Sequence, residues 1–182
     1  MRKIVVTQFI TLDGVMENPQ LWSFPYFTDE ITKFKHDELY ASDAQLLGRI
    51  TYEAFAEVWP SQTDEYANRL NSLPKYVVSK TLKKTDWNNS ILINDNIEEV
   101  LKLKQQDGND ILVHGSLTLV KSLLKANLID QINLLVFPVV LGKGIRLFEN
   151  EENVKLKLTE TKTYSSGVIL LTYQLFKFSP SR

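Results

Sequence analysis

The chain contains no cysteine among its 182 residues, which excludes disulfide bonds, thiolate metal sites and cysteine nucleophiles. Neither sign of charge dominates, because 21 lysines and arginines stand against 22 aspartates and glutamates. The formal net charge of −1 gives no reason to expect binding to nucleic acid or to an anionic membrane. No apolar run is long enough to cross a bilayer, and no internal repeat or low-complexity tract interrupts the sequence.

Common nucleotide and metal motifs are also missing. The chain has no Gly-x-x-x-x-Gly-Lys-Ser/Thr loop and no Gly-x-Gly-x-x-Gly after its first apolar run. No group of His, Asp and Glu residues has the spacing of a metal site, so we predict no bound metal. We expect a single domain spanning residues 1–182 in the cytoplasm, since a chain without cysteine is compatible with a reducing compartment.

Short apolar runs alternate with segments of helical periodicity along most of the chain. Strands are predicted at 4–10, 44–47, 76–78 and 91–93, from 111 and from 132, and helices at 28–40, from 51, at 64–70, 97–105 and 117–124. The tail changes period, because 156–162 alternates, 165–167 forms a turn and 168–176 returns as a second strand. The pattern predicts an α/β fold with a mostly parallel sheet and a C-terminal antiparallel hairpin.

Four of the predicted strands end in residues that suit a phosphorylated nucleotide. Ligands of open α/β sheets bind beyond the carboxyl ends of the strands, so these ends are expected to meet. Amide groups at a helix start, an arginine fork and a lysine charge all favour phosphate. Each segment alone is weak, and together they predict a nucleotide site. They are Leu12-Asp13-Gly14, Leu47-Gly48-Arg49-Ile50-Thr51, Val78-Ser79-Lys80-Thr81 and His114-Gly115-Ser116.

These segments resemble the dihydrofolate reductase-like superfamily, in the branch related to the C-terminal reductase domain of the bifunctional riboflavin-biosynthesis deaminase-reductase. The matching stretches, 11–14, 46–53, 74–82, 112–116 and 138–148, occur in family order across nearly the whole chain. No deaminase zinc motif is present, so only the reductase half is represented. The resemblance implies a three-layer fold with helices on both faces of the sheet.

The resemblance further implies a reductase that transfers a hydride from NADPH to a pterin-, pyrimidine- or ribosylaminouracil-like substrate, as in riboflavin biosynthesis. It also implies a homodimer; we expect no nucleic-acid or membrane partner. Two alternatives stay open, which are a dihydrofolate reductase proper and a module that binds NADPH without turnover.

Roles are implied residue by residue. The residues that match cofactor-binding positions are Gly48, Arg49 and Thr51 for the phosphates, Ser79 and Lys80 for the adenosine 2′-phosphate, and Gly115, Ser116, Leu117 and Thr118 for the pyrophosphate and the approach to the nicotinamide. Residues 12–16 match a mobile loop over the nicotinamide, and Gly144, with Gly142, lies on the substrate side.

The carboxylate that would steer proton transfer is ambiguous. Folate enzymes carry one acid in the first helix, where this chain has both Asp29 and Glu30. Alignment on Phe34-Lys35 favours Glu30, and counting from Pro25 favours Asp29. Both residues also suit a helix N-terminus without any catalytic role.

Four further residues carry open interpretations. Asp13 is either a turn former or a catalytic or substrate contact. Trp22 and Phe27 lie in an aromatic segment that walls a flat substrate or packs under a loop. His114, after an apolar strand, is either a general acid or a buried histidine whose ring nitrogens are hydrogen bonded, and we expect the second.

Overall fold

The computed structural model describes residues 1–94, 97–149 and 154–176. Residues 177–182 of the expected domain lie outside the described residues. The strands are β1 (Ile4–Thr11), β2 (Ser42–Gly48), β3 (Lys75–Val78), β4 (Ser90–Ile93), β5 (Asp110–Gly115), β6 (Gln131–Phe137), β7 (Leu156–Thr163) and β8 (Ile169–Leu175). The helices are α1 (Asp29–Ala41), α2 (Arg49–Val58), α3 (Glu65–Ser72), α4 (Ile97–Gln105) and α5 (Leu117–Lys125).

The eight strands form one sheet in the order β4-β3-β2-β5-β1-β6-β8-β7. The six strands from β4 to β6 run parallel, and β8 and β7 close the sheet in antiparallel pairing. The predicted mostly parallel sheet with a C-terminal antiparallel hairpin is therefore confirmed. Because β2, β3 and β5 are parallel neighbours, their carboxyl ends lie side by side at one edge of the sheet, as predicted.

Helices cover both faces of the sheet. Successive residues of a strand point to opposite faces, and in β1 Val6 packs with α4 and α5 while Val5 packs against α1, α2 and α3. The helices begin where their sequences allow capping. Thr28 accepts a hydrogen bond from the amide N–H of Ile31 at the start of α1, and Asp64 accepts one from Ala67 at the start of α3. The three-layer arrangement is confirmed.

The burial of the edge strand β7 differs from what the alternation in its sequence predicts. Its alternation predicts one buried face, yet every residue after the partly buried Leu156 is exposed. As the last strand of the sheet it has a neighbour on one side only. An exposed edge strand can pair with strands of other chains. Lys157, Lys162 and a bulge between Leu158 and Glu160 oppose such pairing.

Among the helices of the described ranges, none has both the length and the apolar character that a membrane span requires.

Candidate functional site

One face of the sheet is incompletely covered at two central strands, β1 and β5. In β1, every residue except Phe9 is buried. In β5, two residues are only partly buried: Asp110 at the start of the strand and His114 near its end. Interior positions of a parallel sheet are ordinarily covered by helices. The Phe27 ring lies 5.6 Å from the Phe9 ring, and the Phe55 ring of α2 lies 5.5 Å from the His114 ring. We call this incompletely covered region, which holds Phe9, Phe27, Phe55 and His114, the aromatic cleft.

Buried aromatic side chains support the cleft from behind. The Phe137 ring lies 5.3 Å from the Phe9 ring and 5.3 Å from the Trp22 ring. Trp22 is buried, and its indole N–H donates to the backbone carbonyl of Glu17 at 3.0 Å. Of the two aromatic residues predicted to contact substrate, Phe27 therefore lies on the cleft and Trp22 lies behind it.

His114 does not behave as the sequence predicts. Both of its ring nitrogens are buried, and neither has a hydrogen-bond partner among the described residues. Burial lowers the pKa of the His114 imidazole well below its usual value, and the charge of Lys35 lowers it further. The prediction of a satisfied histidine was wrong, since a sequence cannot show whether a buried nitrogen finds a partner. The ring is neutral at physiological pH and has unused hydrogen-bonding capacity.

Two glycines let the ends of β2 and β5 approach each other closely. A Cβ atom at Gly48 would lie 2.2 Å from the Ser116 Oγ and 2.9 Å from the Ser116 backbone nitrogen. A Cβ atom at Gly115 would lie 2.8 Å from the Thr51 Oγ1, and Gly115 has a φ of +135°. The Gly115-Ser116 peptide bond is cis. The turn after β2 and the turn after β5 thus form one structure.

Each of these turns leads into a helix. Gly48 precedes α2 and Ser116 precedes α5, and within the described residues neither helix start has a side-chain cap. The first amide N–H groups of a helix need acceptors, and the helix dipole favours negative charge there. Two neighbouring uncapped helix starts are therefore suited to bind phosphate groups. Leu117 is partly buried and Thr118 is exposed on the first turn of α5.

The remaining predicted cofactor residues lie along the same edge of the sheet. Arg49 is exposed, and its guanidinium pairs with Glu53 at 2.8 Å on the same helix face. Ser79 is buried, and its hydroxyl accepts from the N–H groups of Thr81 and Leu82 at 3.1 and 2.9 Å, which shapes the turn after β3. Lys80 follows it and is exposed.

The loop after β1 is fastened to the loop after β6 through Asp13. The Asp13 carboxylate accepts hydrogen bonds from Thr11 Oγ1 at 2.6 Å and from the N–H groups of Leu141 and Gly142 at 3.2 and 2.8 Å. The Arg146 guanidinium donates to the Asp13 carbonyl at 3.0 Å. A Cβ atom at Gly144 would lie 2.6 Å from Val15 Cγ1, so Gly144 also brings these loops together. We call residues 12–17 and 138–147 the paired loops.

The hydrogen bonds of Asp13 make the paired loops sensitive to acid. The Thr11 hydroxyl and the two amide groups lower the pKa of Asp13 to about 2 from an ordinary value of 3.8. A carboxylate whose pKa falls on folding stabilises the protein above its unfolded pKa, and this contribution disappears as the pH falls through the folded pKa. We expect Asp13→Asn to lower the melting temperature at pH 7, and the gap to wild type to narrow between pH 4 and pH 2. Thermal melts at pH 7, pH 4 and pH 2 test this. The control is Asp37→Asn, because Asp37 is exposed and paired with Lys33. A gap that stays constant with pH would contradict the role of the ionised carboxylate.

The Glu30 carboxylate is engaged by Ser165. Its carboxylate accepts hydrogen bonds from the backbone N–H and the hydroxyl of Ser165, at 3.1 and 2.9 Å, in the turn between β7 and β8. These bonds lower the pKa of Glu30. Asp29, also in the first turn of α1, is exposed.

A model of the RibD C-terminal domain family matches residues 2–170 of the chain. The chain belongs to this family. It is also 35% identical over 179 residues to the uncharacterized protein YyaP of Bacillus subtilis, a match that covers 94% of each chain.

Two solved structures of reductases share this fold. One is a diaminohydroxyphosphoribosylaminopyrimidine deaminase/5-amino-6-(5-phosphoribosylamino)uracil reductase from Thermotoga maritima, with a TM-score of 0.69, 16% identity, and coverage of 96% of this chain and 57% of that one. Another is a dihydrofolate reductase from Enterococcus faecalis solved with NADP(H) and RAB-propyl, with a TM-score of 0.65, 15% identity, and coverage of 96% and 97%. The predicted resemblance to the RibD C-terminal branch and its dihydrofolate reductase-like fold are confirmed.

In this RibD C-terminal domain, the predicted site residues fall into separate groups. Gly48 lies against Ser116, and Gly115 lies against Thr51. Arg49, Ser79, Lys80, Leu117 and Thr118 lie at the same strand edge, Phe27 lies on the aromatic cleft, and Asp13 and Gly144 lie in the paired loops.

One buried polar cluster near the cleft was missed by sequence reasoning. Lys35 and Glu38 of α1 form an ion pair in which both side chains are buried. The Lys35 ammonium also donates to Thr7 Oγ1 at 2.9 Å, and Asn133 Nδ2 donates to Glu38 at 2.8 Å. Lysine and glutamate three residues apart on a helix are ordinarily a solvated pair, so the sequence carries no signal for their burial. The cluster fastens α1 to β1 and β6, the strands that carry Phe9 and Phe137.

Proposed function

We propose that the chain is an NADPH-dependent oxidoreductase that transfers a hydride to a pterin-, pyrimidine- or ribosylaminouracil-like ring. The observation that carries this proposal is the contact between the two glycine turns, which puts the uncapped starts of α2 and α5 next to each other. Membership of the RibD C-terminal domain family supports it, as does the reductase description of the Thermotoga maritima protein.

The residues at the strand edge fit a dinucleotide phosphate. A Cβ atom at Gly48 would meet Ser116 and one at Gly115 would meet Thr51, so the glycines keep the two turns in contact. In the proposal, the first N–H groups of α2 and α5, with Thr51 and Ser116, hold the pyrophosphate of NADPH. Arg49 and Lys80 supply positive charge for the remaining phosphate, Ser79 shapes the turn that presents Lys80, and Leu117 and Thr118 form the first turn beneath the cofactor. NADPH, when bound, supplies the hydride, so the protein supplies distance, orientation and polarity.

The aromatic cleft is the proposed substrate position. It opens on the same face as α1 and α2, next to the turn at Gly115, so a ring placed there lies beside the cofactor site. Phe27 and Phe9 offer an apolar wall, and the paired loops border the end of β1. We assign Asp13 to holding the paired loops together and Glu30 to the turn at Ser165, since their carboxylates already accept two or more hydrogen bonds each. Asp29 is then the first-helix carboxylate available for proton transfer.

A dihydrofolate reductase proper is the first alternative to this proposal. A folate enzyme needs a first-helix acid that faces the substrate, and because Glu30 turns to Ser165, Asp29 is left for that role. NADPH oxidation with dihydrofolate that an antifolate inhibits would favour this alternative. Tight NADPH binding without turnover on any pterin, ribosylaminopyrimidine or carbonyl compound would instead favour a non-catalytic binding module.

Titration calorimetry with NADPH tests the cofactor site directly. Arg49→Ala and Lys80→Ala should each weaken NADPH binding about tenfold, because each removes a charge-assisted contact to a phosphate. The matched control is Lys102→Ala, since Lys102 is exposed on α4, away from the strand ends. No binding of NADPH to the wild type at near-millimolar concentration, or equal losses in all three variants, would contradict the proposal.

A further inference from the structure

Lys75, the first residue of β3, lies outside the groups described above, although its side chain is fully buried. Resting on the proposed function, we propose that Lys75 is a positioning residue for α2, one of the two helices whose starts hold the cofactor phosphates in that proposal. It acts through residues 87–89, between β3 and β4, and through Tyr52 of α2. Three observations carry this inference: the surroundings of the Lys75 ammonium, the contacts of Trp87 and the burial of Tyr52.

Backbone carbonyl groups enclose the Lys75 ammonium. Its Nζ donates to the carbonyl oxygens of Asn71, Leu73 and Asn88 at 2.9, 2.8 and 3.0 Å, which uses all three N–H donors of an ammonium. The Nζ also lies 4.3 Å from the centre of the Trp87 ring, whose face attracts a cation. Burial lowers the pKa of Lys75 to about 8, so the ammonium is still mostly charged at pH 7. We call the three carbonyl groups the carbonyl cage.

The carbonyl cage joins the segment 87–89 to the end of α3. Asn71 belongs to α3, and the carbonyl of Asn88 belongs to the segment. The indole N–H of Trp87 donates to Asn71 Oδ1 at 2.7 Å, so the segment is fastened at two neighbouring points. Loss of the ammonium would take a donor from three carbonyl groups at once, and backbone carbonyls in a protein interior need one. The segment would therefore have to shift.

Trp87 holds α2 through Tyr52. The backbone N–H of Trp87 donates to the Tyr52 hydroxyl at 3.0 Å, and the two rings lie 6.2 Å apart. Within α2, every residue of which the structure describes, Tyr52 alone is fully buried. The residue before it is Thr51, whose Oγ1 lies against Gly115. A shift of Trp87 therefore moves the turn of α2 that forms part of the proposed phosphate site.

The test measures whether Lys75 and Tyr52 act on NADPH binding as one unit. Lys75→Met keeps the length of the side chain and removes the ammonium, whereas Tyr52→Phe removes only the hydroxyl. We expect calorimetry to show NADPH binding about tenfold weaker in each variant, the effect of one lost hydrogen bond. The double variant should also bind about tenfold more weakly, because the second change removes a contact that the first has already disrupted. A loss of about 100-fold in the double variant, the product of two independent effects, would overturn the inference.

Chemical rescue separates positioning by the ammonium from damage to the fold. Lys75→Ala removes the atoms that n-propylammonium contains, and a pocket of about 480 Å³, lined in part by Pro74, Trp87 and Asn88, adjoins the carbonyl cage. We expect n-propylammonium to restore NADPH binding to Lys75→Ala, and tetramethylammonium, which has no N–H donor, to leave it weak. No recovery with n-propylammonium, or equal recovery with both salts, would overturn the inference.

Lys104→Met is the matched control, because Lys104 is also buried but pairs with Asp130 at the opposite end of the sheet, beside the first residue of β1. It should lower the melting temperature and leave NADPH affinity unchanged. An equal loss of affinity in Lys104→Met and Lys75→Met would show that stability alone is responsible, and would overturn the inference. Failure of the wild type to bind NADPH contradicts the proposed function and this inference with it. Normal binding by the wild type and by Lys75→Met contradicts this inference alone.

Discussion

Replacement of Gly48 by alanine should abolish most NADPH binding. The new methyl group would lie 2.2 Å from the Ser116 Oγ, 2.9 Å from the Ser116 nitrogen and 3.0 Å from the Ser116 Cβ. The hydroxyl can rotate away, but the backbone nitrogen and Cβ cannot, so the starts of α2 and α5 must move apart. A misplacement of about 1 Å in an active site can cost about 100-fold in rate, and we expect a loss of NADPH affinity of the same order.

The effect on folding should be smaller than the effect on binding. Forcing an extra methyl group into a packed contact costs about 1–3 kcal/mol, so Gly48→Ala should remain folded with a lowered melting temperature. Gly142→Ala is the control, because Gly142 has a φ of +74° but open space within 4 Å of its Cβ position. Calorimetry and thermal melts on both variants separate the two effects. Wild-type NADPH affinity in Gly48→Ala would refute the assignment of the cofactor to these turns.

Replacement of Glu38 by alanine should be the most damaging change to stability. It leaves the buried ammonium of Lys35 without its counter-charge and Asn133 without its acceptor. Breaking a buried ion pair from one side costs about 3–5 kcal/mol. For a chain of this length, about 10 °C in melting temperature is expected.

Two comparisons make this stability prediction specific. Asp37→Ala breaks the exposed pair with Lys33 on the same helix, where the side chains are 59% and 74% exposed, and should cost less than about 1 kcal/mol. The double variant Lys35→Met with Glu38→Leu removes both buried charges and should recover most of the loss. Equal melting temperatures for Glu38→Ala and Asp37→Ala would show that the buried pair is not a stabilising element.

The strand ends were predictable because their residues obey local rules. Apolar runs set the strands, and small residues after 47 and 114 mark sharp turns. Because the strands are parallel, these turns must lie together at the carboxyl ends of the strands. Their direct contact was not predictable, since the distance between Gly48 and Ser116 depends on the register of β2 against β5, where the pairing shifts between Gln45 and Leu47.

Side-chain contacts between residues distant in the chain could not be predicted from the sequence. Glu30 suits a helix start and Ser165 suits a turn, but their hydrogen bond joins residues 135 positions apart. Lys35 and Glu38 are buried only because β1 and β6 present Thr7 and Asn133 beneath α1. In each case the local sequence pattern is equally compatible with exposed side chains. The tertiary arrangement therefore decides whether these side chains are buried and which partners they contact.

The position of β1 at the centre of the sheet governs how the chain can fold. Its two neighbours are β5 and β6, which lie more than 100 positions later in the sequence. On the ribosome, the apolar segment Ile4–Thr11 therefore waits without a pairing partner until residues 110–137 have left the exit tunnel. Such long-range pairing closes large loops and is intrinsically slow. A nascent chain of this protein thus carries an exposed, aggregation-prone strand through most of its synthesis, and a chaperone that holds this segment would raise the yield of folded product.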